Sequence, residues 1–171
     1  MGMLRGRRDD ADVRRFRMKQ RLASVGDDFW IEDEDGNRAY RVDGKLLKLR
    51  DTFVLEDASG REVARIQERM VSVRGKVAIE RDDVRLATVH KALVGIRDRF
   101  VIDIEDGDDL KARGNVVDHE YEIERDGDTV ATISKRWFRV RDTYGVELAE
   151  GEDAGLLLAT VVAIESMTDP E

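Results

Sequence analysis

Residues 154–167 read AGLLLATVVAIESM, with no turn residue after Gly155 and no charge before Glu165. Leu156, Leu157, Leu158, Val161, Val162 and Ile164, with Ala159 and Ala163 between them, cover every face of a helical wheel. A helix that is apolar all round is buried all round. A buried strand is the rival reading, but the run is long for a strand and its Leu-Leu-Leu-Ala core favours helix. Glu150, Glu152 and Asp153 precede it, where the helix dipole favours negative charge. Asp153 is a natural N-cap. The stretch is too short to span the ~30 Å of a bilayer's hydrocarbon, so its burial calls for an enclosure made by the rest of the chain.

That enclosure is repetitive. Four thirteen-residue segments align without a gap: AYRVDGKLLKLRD (39–51), VARIQERMVSVRG (63–75), LATVHKALVGIRD (86–98) and VATISKRWFRVRD (130–142). Apolar residues recur at the first, fourth, eighth, ninth and eleventh places, followed by Arg and then Asp or Gly. A fainter copy at 15–27 keeps Met18, Leu22, Ala23 and Val25. The ends of these copies, Asp27, Asp51, Gly75, Asp98 and Asp142, lie 24, 24, 23 and 44 residues apart, so the last gap hides one more unit. That unit, around 110–120, is two residues short, which implies a shortened strand or a lost bulge. A fixed period of this size marks a repeated supersecondary unit.

Between the copies run β-rich triplets that lead into acidic turns. Phe29-Trp30-Ile31 leads to Asp35-Gly36, Phe53-Val54-Leu55 to Ser59-Gly60, Phe100-Val101-Ile102 to Asp106-Gly107, and Tyr121-Glu122-Ile123 to Asp126-Gly127. Asp-Gly between such runs signals a hairpin, because its tight turn needs positive φ. Each unit reads as strand, turn, strand, with a third short strand or corner at the paired apolar positions, where a bulge would let both face inward. Two strands per unit over five to six units give roughly 11–13 strands, the size of can that encloses a helix. The expected fold is all-β: a closed barrel of about twelve antiparallel strands enclosing one C-terminal apolar α-helix. The expected organisation is a polar tail at 1–14, one barrel domain at 15–168 and a short tail at 169–171.

Composition narrows the function classes. The net charge of −8 argues against nucleic acid as a partner. Charged residues are 40% of the chain, but the 41% hydrophobic content is too high for disorder. There is no Cys, which excludes disulfides and thiolate metal sites. Neither a secretory signal nor a transmembrane segment is expected, and a cytoplasmic location follows by elimination.

Several runs make the chain recognisable: Met18-Lys19-Gln20, GDDFWIEDEDGNRAYRVDGKLLKLRDTF (26–53), GNVVDHEY (114–121), Lys135-Arg136-Trp137-Phe138 and the terminal helix. Together they resemble the LURP-one-related family, over residues 16–167. The resemblance implies a tubby-like fold, an approximately twelve-stranded barrel around a central C-terminal helix. It is a fold akin to the phosphoinositide-binding tubby domain and to phospholipid scramblases. Fold kinship transfers no site.

Candidate residues are few. No Gly-x-Ser-x-Gly elbow, Gly-rich phosphate loop or paired nucleophile and base is present, so neither an enzyme nor a cofactor is expected. The acidic turns fail the EF-hand pattern, since Ile31 and Val42 stand where its first and last ligands belong. His90 reads as a solvated strand residue. His119, between Asp118 and Glu120, is the alternative site, an enzyme or small-ligand carrier at the barrel mouth, although neighbours in a strand point to opposite faces. The recurrent Arg50, Arg74, Arg97 and Arg141 read as corner residues paired with Asp or turn carbonyls, with a basic rim for anionic head groups or another acidic ligand as the alternative. The densest basic-aromatic group is Lys135, Arg136, Trp137, Arg139 and Arg141, which suits an anionic lipid head group. The leading expectation is therefore a non-catalytic binding or scaffold domain whose partner is an anionic lipid surface or another protein.

Overall fold

The computed structural model describes residues 13–19, 29–47, 50–69, 75–92, 100–137 and 143–168. Among them are twelve strands and one helix: β1 (Arg14–Lys19), β2 (Phe29–Asp33), β3 (Arg38–Leu47), β4 (Arg50–Asp57), β5 (Glu62–Arg69), β6 (Lys76–Arg81), β7 (Val84–Lys91), β8 (Phe100–Ile104), β9 (Leu110–Asn115), β10 (Glu120–Arg125), β11 (Asp128–Ser134), β12 (Thr143–Leu148) and α1 (Ala154–Thr168). Each strand pairs antiparallel with its sequence neighbours, and β1 closes the ring against β12 from Arg14↔Leu148 to Lys19↔Thr143. The expected barrel is present.

Period-two alternation makes the wall. Phe16 and Met18, Phe29 and Ile31, Leu110 and Ala112, and Tyr121 and Ile123 are buried inside. The residues between them carry the charge that raised the composition. Arg15 bonds Glu147, Arg17 meets Glu32 and Arg41 bonds Glu56, each pair directly opposite in register. Such cross-strand pairs are the sheet's equivalent of helix i,i+4 contacts.

The helix fills the lumen. Seven consecutive residues, 158–164, are wholly inaccessible; at 3.6 residues per turn that leaves no open face. All of them but Thr160 share one apolar cluster with Leu55, Ile66, Ile79, Val89, Ile102 and Ile133 of the wall. Each fully buried side chain of Leu or Ile size contributes about 1.5–3 kcal/mol. Asp153 caps the helix as expected, its Oδ1 accepting the Leu156 amide at 3.0 Å.

Strand polarity gathers the short connections 34–37, 58–61, 82–83, 105–109 and 126–127 at one rim, where β12 also hands over to α1. The helix runs from this turn rim to the far rim, which carries the β9–β10 turn (116–119) and the end of β11. The turns are built largely as expected. Asp126 and Gly127 both have positive φ, as do Gly36 and Gly60. Asp33 and Asp57 accept backbone amides of the residues two and four places on, which uses the acids locally. Gly107 is not in the left-handed region, because the β8–β9 link is a longer loop closed by Asp109 on the Ile104 amide.

The position of the bulges differs from expectation. At the paired apolar positions Leu46-Leu47 the β3–β4 ladder runs without a register shift to Leu47↔Arg50. Instead, the bulges fall between Ile31 and Glu32, Leu55 and Glu56, Ile79 and Glu80, and Ile123 and Glu124, just before a hairpin turn. There they increase twist where the barrel wall ends. The other paired apolar corners lie wholly or partly outside the described residues. The short unit at 110–120 is a shortened strand: β9 has six residues against ten in β3 and eight in β5 and β7.

Candidate functional site

Ser134 ends β11, and residues 135–137 form a turn. The turn is held by Glu120 at the start of β10. Both Glu120 carboxylate oxygens accept the Ser134 hydroxyl, at 3.0 and 2.9 Å, and Oε1 also accepts the Lys135 amide at 3.0 Å. The Arg136 amide donates to Ser134 Oγ at 3.1 Å. Lys135 is half-buried, whereas the Arg136 side chain is 85% exposed, with its Nε 4.0 Å from Glu120. Trp137 is half-buried, with the Arg15 guanidinium of β1 5.8 Å from its ring centre. Thus the structure groups Lys135, Arg136 and Trp137 in one corner at the far rim. Arg139 and Arg141 lie outside the described residues, as do Arg74 and Arg97, and so does the side chain of Arg50.

Asp118, His119 and Glu120 do not converge. The strand assumed for His119 is a turn: the His119 amide bonds the Val116 carbonyl at 3.1 Å, and His119 has φ 53°. Asp118 is exposed and pairs with Asn115 through side chain and backbone. Gly114 makes the turn possible. A Cβ there would stand 2.7 Å from the Glu120 carbonyl oxygen and 2.8 Å from Tyr121 Cα. The run GNVVDHEY is therefore a single hairpin with a steric reason for its glycine.

His119 points into the barrel. Its Nδ1 lies 2.9 Å from Glu165 Oε1 of the helix, and the Tyr121 hydroxyl donates to the same oxygen at 3.3 Å. The imidazole stacks on the Tyr144 ring, centroids 4.5 Å apart and planes within 6°. His119, Glu165, Tyr121 and Tyr144 are all buried. Burial pushes the Tyr121 and Tyr144 phenols well above the ordinary tyrosine range, and the nearby Glu165 carboxylate adds to the effect. Sequence reasoning missed this cluster, because 46 residues separate His119 from Glu165. The available signal was a lone carboxylate closing an otherwise apolar helix, since a buried charge needs a partner. His90 stands on the outer wall, its Nε2 3.0 Å from Asp103.

At the turn rim the chemistry is wet. Arg81 forms a two-pronged pair with Asp153 at 2.9 and 3.1 Å and also donates to the Val63 carbonyl. Arg125 grips Glu152 at 2.7 and 3.2 Å, and Arg14 donates to the Glu152 carbonyl. The Arg81 hydrogen bonds hold the Asp153 carboxyl below the usual carboxylate range. Two open grooves, about 690 and 370 Å³, flank Tyr40 here and share Arg14 and Asp57. Most of the acids that line them are engaged in turns, the helix cap or pairs with arginine.

Among the described residues no helix is long and apolar enough to cross a membrane. The chain resembles a protein from Arabidopsis thaliana whose crystal structure aligns over 92% of each chain, with TM-score 0.68 and 19% identity, a likeness that shows the fold alone. No curated protein matches the chain. The family model described as LURP-one-related matches residues 14–165, the whole span from the first strand to the buried glutamate, and the chain belongs to that family.

Proposed function

We propose that this is a non-catalytic binding domain of tubby-like architecture, whose far-rim corner of Lys135, Arg136 and Trp137 docks on an anionic lipid surface. The observation that carries the reading is the Arg136 guanidinium. Five arginines of the wall and turn rim, Arg15, Arg41, Arg65, Arg81 and Arg125, lie within 3.1 Å of a carboxylate. Among the described residues the carboxylate that comes nearest the Arg136 guanidinium is that of Glu120, at 4.0 Å, and it is occupied by Ser134 and the Lys135 amide. A cation left facing water beside Lys135 and an aromatic ring suits an interfacial anion better than a structural pair. The net charge of −8 opposes general membrane attraction, so binding is local to this corner and weak.

Flotation with phosphatidylserine-containing vesicles tests it at low and high salt. Binding at low salt is expected, weakened by salt and cut about thirtyfold in K135A/R136A, since each of the two basic residues near such a surface is worth about 1 kcal/mol. No binding at low salt, where attraction is greatest, overturns the lipid reading and leaves a protein surface as the partner to seek.

A further inference from the structure

An apolar helix in an apolar lumen has little to define its rotation or its depth, because hydrophobic burial has no direction. The positional information comes from the polar groups at its two ends. At the far rim that group is Glu165, held by His119 and Tyr121. The next residue after His119 faces the other way: Glu120 carries the Ser134 hydroxyl and the Lys135 amide, and Ser134 in turn carries the Arg136 amide. One peptide bond therefore joins the helix contact inside the barrel to the basic corner outside it. The turn that contains this bond is stiff. Gly114 sits in backbone contact with Glu120 and Tyr121, Asn115 and Asp118 clamp each other, and His119 is held in the left-handed region.

We propose that His119 and Glu120 are positioning residues that make the presentation of Lys135 and Arg136 depend on the seating of the buried helix. Glu165 fixes His119; His119 fixes the direction of Glu120; Glu120 fixes the turn at 134–136. A buried polar contact is a poor source of net stability, and here its role is to select a single arrangement. Here that arrangement is transmitted outward. The proposal rests on the corner being the binding surface, yet the linkage can be measured without any ligand.

The test is amide and imidazole NMR on the full chain, paired with vesicle flotation. Glu165→Gln is expected to shift the Lys135 and Arg136 amides while leaving those of Asp57 and Asp153 at the opposite rim in place. It should also weaken vesicle binding about fivefold, the low end of ordinary coupling between sites. Glu120→Gln, at the outer end of the link, should reproduce the weaker binding and move the His119 imidazole signals. K135A/R136A should weaken vesicle binding about thirtyfold with the His119 signals unmoved, as befits residues that touch the ligand rather than transmit to it. Unmoved Lys135 and Arg136 amides in Glu165→Gln overturn the linkage, whatever the vesicles do. Should Glu165→Gln not fold, unmoved His119 signals in Glu120→Gln overturn it equally. Shifted amides in a wild-type chain that never binds vesicles leave the linkage standing and remove only the lipid reading.

Discussion

The two ends of the barrel secure the same helix by opposite means. At the turn rim the link into the helix is tied by arginines to two carboxylates, in pairs that water still reaches: the Arg81 side chain is 33% exposed and Asp153 45%. At the far rim a histidine and a glutamate, 7% and 6% exposed, meet among tyrosines. Exposed pairs gain little, because solvent screens them and long side chains lose freedom. A buried polar pair gains little over an apolar one either, but breaking it strands a polar group away from water. The wet end therefore tolerates damage, and the dry end tolerates only replacement of the whole contact.

The sharpest way to break this comparison is at Glu165. Replacing it with Ala leaves His119 and Tyr121 facing an apolar lumen, and two stranded polar groups at about 1–3 kcal/mol each predict a loss of about 2–6 kcal/mol in urea unfolding. His119→Phe together with Glu165→Leu should recover part of that loss, since an apolar pair has no stranded group. A double variant as weak as Glu165→Ala would mean that the lumen cannot repack there.

At the wet end the largest single effect belongs to Asp153, which both caps the helix and pairs with Arg81. Asp153→Ala should cost about 1–2 kcal/mol, the worth of a cap. Its pH dependence follows from the depressed carboxyl. The contribution is complete above the unfolded-state value of about 3.9 and is lost as pH falls through the lower folded-state value. The gap between wild type and Asp153→Asn should accordingly narrow as urea unfolding is repeated at progressively more acidic pH. A constant gap down to full acid unfolding would remove the pair from the account.

Arg125 should show the smallest effect. Its two-pronged contact with Glu152 is part-exposed, so Arg125→Ala should cost under about 1 kcal/mol and less still in high salt. A loss as large as that of Glu165→Ala would erase the distinction between the two rims.

Much of the architecture is written in local pattern. Phe16-x-Met18 and Leu110-x-Ala112 alternate because one side faces a core, and Asp126-Gly127 adopts positive φ because few other pairs can. The bulges before the turns, such as Ile31/Glu32, escaped notice because a one-residue slip leaves no mark in composition. At the candidate site, Lys135, Arg136 and Trp137 could be picked out as a group, but the role of Glu120 in holding their turn could not.

By itself the sequence determined that 154–164 must be enclosed and that a repeated hairpin could supply a barrel of sufficient size, since periodicity and apolarity are properties of neighbours along the chain. Tertiary structure decided what Glu165 meets. The contact with His119 joins positions 46 residues apart, and it depends on a six-residue strand, a glycine in backbone contact and a left-handed histidine. The enclosed helix thus proves apolar on every face except at Thr160, whose hydroxyl bonds the helix's own Leu156 carbonyl, and at one carboxylate. Burial specifies that a helix goes inside; only a directional, paired group specifies how far and which way round.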